Sequence, residues 1–209
     1  MKRILLRLLP AVALFIATLP ALAAAGADGF RPLFNGKDLS GWKLRNPKGH
    51  NSWTVEPGGV LQNTVNPGEH GTDLVTENNK FWNFTVRYEF MVPDGSNSGF
   101  YLRGRHEIQI LGDYKKGKPA INGNGSIYNV KAPSEFASKP GGEWQTAEVT
   151  MIDNKITVTL NGKKIHDNVV CDKATGSEID NKVTEPGPFF LQGDHGTVSF
   201  RNIQVKEIK

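Results

Sequence analysis

Residues 145–165, "QTAEVTMIDNKITVTLNGKKI", read as consecutive short strands joined by two tight turns. Apolar and β-branched residues alternate with polar ones at the period of two that a pleated strand imposes. Asp153-Asn154 and Asn161-Gly162 break the alternation. The second pair is the stronger signal, because a type I′ turn needs positive φ at both central residues and Asn-Gly supplies it at little cost. The spacing predicts an antiparallel meander.

Working outward, the same pattern recurs. Alternating segments rich in Val, Ile, Thr and aromatics occupy residues 52–64 (two strands around the turn Pro57-Gly58-Gly59), 84–92, 99–103, 107–111 and 196–208, each bounded by Gly, Pro, Asn or Asp. No strong helical periodicity, fixed-period repeat or low-complexity linker follows residue 26. This is the pattern of an all-β sandwich. Residues 112–142 and 171–188 are long polar loops, and loops of that length in a compact domain usually shape a binding site.

Residues 96–111, "SNSGFYLRGRHEIQIL", carry unusual charge for strand sequence. Parity sorts them: Phe100, Leu102, Ile108 and Ile110 fall on one face, and Tyr101, Arg103, Glu107 and Gln109 on the other. Whether Gly104-Arg105 turns the chain or the strand runs through, Arg103 is expected beside Glu107 and Gln109. The polar face is either a solvated surface or a site for chemistry. Trp53, Trp82, Trp144 and Tyr101 are candidate sugar platforms, although a core position is the ordinary role for each tryptophan. A second cluster, "PGPFFLQGDHGTVSF" (186–200), presents Asp194 and His195 between Gly193 and Gly196, which are expected to permit a tight exposed turn. An imidazole oriented by a carboxylate is an acid/base unit. The remaining histidines show no metal-ligand spacing, and no serine-histidine nucleophile motif, phosphate loop or dinucleotide fingerprint is present.

The chain has 209 residues and a formal charge of +4. Lys2, Arg3 and Arg7 precede an apolar run over residues 8–22 and the small residues Ala21-Leu22-Ala23. That is the arrangement of a secretory signal peptide over residues 1–23, with Pro10 and Pro20 leaving the run short of a membrane span. Removing it lowers the charge to about +1, so neither nucleic acid nor an anionic membrane is an expected partner, and stable membrane insertion is not expected. No lipid-acceptor cysteine follows the run. The expected destination is periplasmic or secreted, and protein partners are not legible. Cys171, the sole thiol, excludes an internal disulfide and reads as a half-buried apolar residue.

Five ordered motifs resemble the 3-keto-disaccharide hydrolase family: "FRPLFNGKDLSGW", "SNSGFYLRGRHEIQIL", "SIYNVKAPSEFASKPGGEW", "ITVTLNGKKI" and "GPFFLQGDHGTVSFRNIQVK". The resemblance spans one domain over residues 29–209. It implies a concanavalin A-like jelly roll of two curved antiparallel sheets whose concave face binds a carbohydrate, and cleavage of glycosides already oxidised to a ketone at C3. The same fold hosts glucanases with an E-I-D-x-x-E strand. Here "EIQIL" keeps Glu107 but has Gln109 for the aspartate and lacks the second glutamate, so the close carboxylate pair of a retaining hydrolase is missing from the strand. A keto-sugar route needs only a base, an enolate stabiliser and an acid. On that mechanism Glu107 is the base or a metal ligand, His195 the proton donor or alternative base, and Asp194 its orienting partner. Arg103 and Gln109 would bind the keto or enolate oxygen, with Tyr101, Asn97 and Tyr128 as further substrate contacts. A divalent cation at Glu107 is a candidate Lewis acid that no spacing demonstrates. A non-catalytic carbohydrate-binding module and an ordinary glycosidase remain as alternatives.

Overall fold

The computed structural model describes residues 26–66 and 68–209, so the expected signal segment lies outside the described residues. Both turns of the opening stretch form. Asn161 (φ 51°) and Gly162 (φ 80°) are left-handed together, and Asp153 has φ 50°. They join β9 (Gln145–Ile152), β10 (Lys155–Leu160) and β11 (Lys163–Val170), the last running further than the alternation implied.

The meander forms one side of an eight-stranded antiparallel sheet in the order β11-β10-β9-β6-β13-β4-β3. Its other members are β3 (Trp53–Glu56), β4 (Val60–Asn63), β6 (Phe84–Met91) and β13 (Val198–Glu207). Strand β1 (Arg31–Pro32) pairs with β13 at Gln204 and Val205, beyond the segment that β4 occupies. A five-stranded sheet, order β2-β5-β12-β7-β8, packs against it. It contains β2 (Trp42–Leu44), β5 (Leu74–Thr76), β7 (Asn97–Leu102), β8 (His106–Leu111) and the two-residue β12 (Phe190–Leu191). The architecture is an all-β sandwich of the concanavalin A-like jelly-roll class.

Alternation decides what the sheets bury. Phe84, Val86, Tyr88 and Phe90 of β6 face inward, as do Phe100, Leu102, Ile108 and Ile110 of β7 and β8. Phe100 stacks on Tyr88 across the two sheets at 4.1 Å with an interplanar angle of 5°, and Phe189 meets Phe84 at 4.6 Å. These aromatic contacts join the layers, and truncating one such side chain typically costs about 3–5 kcal/mol. Trp53 belongs to the core, its indole N–H donating to the Thr72 carbonyl at 2.7 Å. Cys171 is almost fully buried rather than half-buried, and burial pushes its thiol up to about 11. Among the described residues no helix is long and apolar enough to cross a membrane.

Candidate active site

The site is built on the outward parity of β7 and β8. Antiparallel register sets Gly99 opposite Gln109 and Tyr101 opposite Glu107, while Phe190 of β12 lies beside Tyr101. Gln192, just past β12, donates its backbone N–H to the Gly99 carbonyl at 2.9 Å. Gly99 is therefore a floor position with side chains around it: Asn97 and Tyr101 along its own strand, Gln109 and Gln192 to the sides, and Glu107 on the diagonal. Glu107 leans over the glycine, so a Cβ at residue 99 would stand 2.4 Å from Glu107 Oε1. The absence of that carbon gives the carboxylate its seat.

Above this floor lies a small, partly open cavity of about 70 Å³. Six residues singled out from sequence line it, namely Asn97, Tyr101, Glu107, Gln109, Tyr128 and His195, together with Gly176, Ser177 and Gln192. Sequence reasoning missed Gln192 although it lies within the Asp-His motif; the two-residue strand before it carries too short an alternation to assign a face. The long loops supply the walls. Backbone groups of Gly125, Ser126 and Tyr128 bond to Gln109 and Glu107 along the free edge of β8. Thr175 Oγ1 accepts the Glu107 N–H at 2.8 Å. This cover buries a face that alternation alone would leave in water: Tyr101 is 1 % exposed, Glu107 3 % and Gln109 4 %.

Burial raises the Glu107 carboxyl to about 7, because ionisation in a poorly solvated site is costly. The Tyr101 hydroxyl, donating to Glu107 Oε2 at 2.9 Å, and the His195 charge pull it down, whereas Asp194 and Asp73 push it up. Tyr101 stacks on Phe190 at 3.7 Å, which fixes the phenol. The side-chain oxygens of Asn97, Gln109 and Gln192 have no partner among the described residues. Buried acceptors without partners are uncommon and suit a ligand that brings hydroxyl donors.

Asp194 does not line the cavity but holds His195, its Oδ1 meeting the imidazole Nδ1. That contact leaves Nε2 as the free ring nitrogen. The neighbouring glycines act differently from the expectation. Neither has positive φ; a Cβ on Gly193 would fall 2.3 Å from the Thr72 carbonyl oxygen, and one on Gly196 2.5 Å from Ser96 Oγ. Close approach of the chain, rather than turn geometry, requires them.

Arg103 is the correction. The chain turns at Arg103 (φ 51°) and Gly104 (φ 69°), and a turn resets the parity that placed Arg103 beside Glu107. Its guanidinium lies 3.6 Å over the Trp82 ring and its Nε donates to the Trp82 carbonyl at 2.8 Å, outside the cavity lining. Trp82 and Trp144 carry Arg103 and Arg201 on their rings and do not line the cavity. No group of three or more His, Cys, Asp or Glu side chains suited to a metal occurs among the described residues. The oxygen set around Glu107 is one carboxylate and three amides, the hard-donor chemistry that calcium or magnesium would accept.

The family model described as a 3-keto-alpha-glucoside-1,2-lyase-like domain matches residues 29–206. The chain belongs to this family. A 3-keto-disaccharide hydrolase of Bacteroides thetaiotaomicron is 28% identical over 169 residues, covering 66% of this chain and 58% of the relative, so the match spans little more than half of that protein. Two crystal structures from Parabacteroides distasonis, each described as a candidate glycosyl hydrolase, share the fold. One has a TM-score of 0.71 at 24% identity, covering 88% of this chain and 96% of its own. The other has a TM-score of 0.70 at 26% identity, covering 94% of each.

Proposed function

We propose that the protein cleaves 3-keto-glycosides by elimination and rehydration. The observation that carries this reading is that Glu107 is, among the described residues, the one carboxylate lining the small cavity, with a carboxylate-oriented histidine in the same lining. Double displacement on an unoxidised glycoside needs two carboxyl groups about 5 Å apart across the bond. A ketone at C3 removes that need by acidifying the C2 proton.

Glu107 takes the C2 proton, and the C–H electrons form the enolate. Collapse of the enolate restores the ketone, makes a C1–C2 double bond and breaks the bond from C1 to the glycosidic oxygen. His195, protonated at Nε2, gives its proton to that oxygen. Water then adds its hydroxyl to C1 and a proton to C2, so the net change is hydrolysis. With Arg103 outside the cavity, the amide groups of Gln192, Asn97 and Gln109 are the side chains placed to meet the keto oxygen and ring hydroxyls, since an amide presents a donor or an acceptor by rotation. The name of the Bacteroides relative is consistent with this class.

The test offers matched 3-keto and unoxidised glycosides in deuterated water. Turnover of the keto substrate alone, with deuterium entering at C2, is expected. Binding of either sugar without turnover would instead make the protein a carbohydrate-binding module.

A further inference from the structure

Outside the cavity lining, one charged pair touches two of the segments that wall the cavity. Arg45 follows β2 and Asp73 precedes β5, on the outer side of the five-stranded sheet. Arg45 Nη1 donates to Asp73 Oδ2 at 3.0 Å and to the Ser177 carbonyl at 2.7 Å, and Nη2 donates to the Glu178 carbonyl at 2.7 Å. Its guanidinium sits 5.2 Å over the Phe190 ring, the ring on which Tyr101 stacks. The other oxygen of Asp73 accepts the Gly193 N–H at 3.0 Å, at the base of the turn carrying Asp194 and His195. One fork thus reaches the Ser177 wall, one carboxylate reaches the His195 wall, and the two are joined to each other.

The pair is built rather than incidental. Asp73 is 8 % exposed, and its burial raises its carboxyl above the ordinary range while Arg45 and the Gly193 N–H oppose the rise. A planar guanidinium can bond two carbonyls and a carboxylate together; an ammonium cannot copy that geometry. We propose that Arg45 and Asp73 are a positioning pair that holds the Ser177 and His195 walls of the Glu107 cavity in register. The catalytic consequence rests on Glu107 acting as the base, whereas the positioning role does not.

The experiment follows amide hydrogen exchange of the ligand-free protein in Arg45→Gln, Arg45→Lys and Asp73→Asn. Arg45→Gln should speed exchange at residues 177–179 and 193–196 at least tenfold, with the β9–β10 hairpin unchanged. Arg45→Lys, which keeps the charge but not the fork, should speed residues 177–179 and leave 193–196 protected, and Asp73→Asn should do the reverse. Unchanged exchange at both segments in Arg45→Gln, or equal acceleration in the β9–β10 hairpin, would overturn the proposal. Kinetics on a 3-keto glycoside then read the catalytic half: kcat should fall in Arg45→Gln and be partly rescued in Arg45→Lys. An inactive wild type would defeat the keto-glycoside reading while leaving the exchange results to decide this one.

Discussion

The two outer faces of the sandwich carry similar sequence and opposite physics. On the eight-stranded sheet Arg87, Glu89, Glu148 and Arg201 occupy outward positions, much as Tyr101, Glu107 and Gln109 do on the five-stranded sheet. Arg87, Glu89 and Glu148 border a groove of about 460 Å³, and the set is partly paired, Arg201 with Glu89 at 2.7 Å and Arg87 with Asp28 at 2.8 Å. The second set surrounds a far smaller space, lies under two loops and keeps three amide oxygens without partners. Charge at alternate positions therefore identifies a face; cover decides whether that face is surface or site. The smaller cavity is the better candidate because three of its amide oxygens lack partners among the described residues, whereas in the larger groove Arg87 bonds Gln204 and Asn202 bonds Glu89, and the Tyr88 hydroxyl is the buried polar atom left over.

Glu107→Gln should break this contrast most severely. Turnover of a 3-keto glycoside is expected to fall about 10³-fold, the usual range for losing a positioned base, while Glu148→Gln on the opposite face leaves it unchanged. Comparable losses in both variants would remove the distinction between the faces. Gly99→Ala comes next, with kcat down about 10²-fold, because the new methyl displaces the carboxylate by the small distance to which such geometry is sensitive. Its circular dichroism should stay native; a collapse of the fold would instead make Gly99 a stability position.

The pH dependence should separate the faces further. Since burial raises the Glu107 carboxyl to about 7 and it must be ionised to act as a base, the acid limb of kcat/KM should rise through about pH 7. Stability carries the opposite sign. A carboxyl whose folded value is raised favours the folded state at low pH, and that contribution is lost as pH rises from the unfolded value near 4.5 through 7. Glu107→Gln should accordingly be more stable than wild type at pH 8 by about 3 kcal/mol, and close to it at pH 4, by urea unfolding. Equal stabilities at pH 8 would rule out burial as the cause. Smallest of all, Glu89→Gln should cost less than about 1 kcal/mol, as half-exposed ion pairs do.

Much of this arrangement was legible in the sequence. The hairpins of the meander, the two strands around Pro57-Gly58-Gly59 and the parity of Phe100 against Tyr101 follow from period-two alternation and turn chemistry. Arg103 was misplaced because alternation holds only while the chain stays extended, and a left-handed pair at Arg103-Gly104 ends it. Strands β2, β5 and β12, of two or three residues each, are too short to show a period. Arg45 and Asp73 carried no signal at all, since their meaning lies in carbonyls and amides far along the chain.

Strand β12 has a consequence for the order in which the molecule assembles. Its two residues fill the gap between β5 and β7, pairing with Val75 and Tyr101 from near the end of the chain. Closing that gap requires joining segments very distant in sequence, whereas β9, β10 and β11 need only adjacent hairpins, and local contacts form faster than distant ones. The meander should then gain amide protection early in refolding, with Gln192 and Gly99 among the last groups protected, an order that pulse-labelled hydrogen exchange can time. The chain would complete its chemistry only after it has completed its shape.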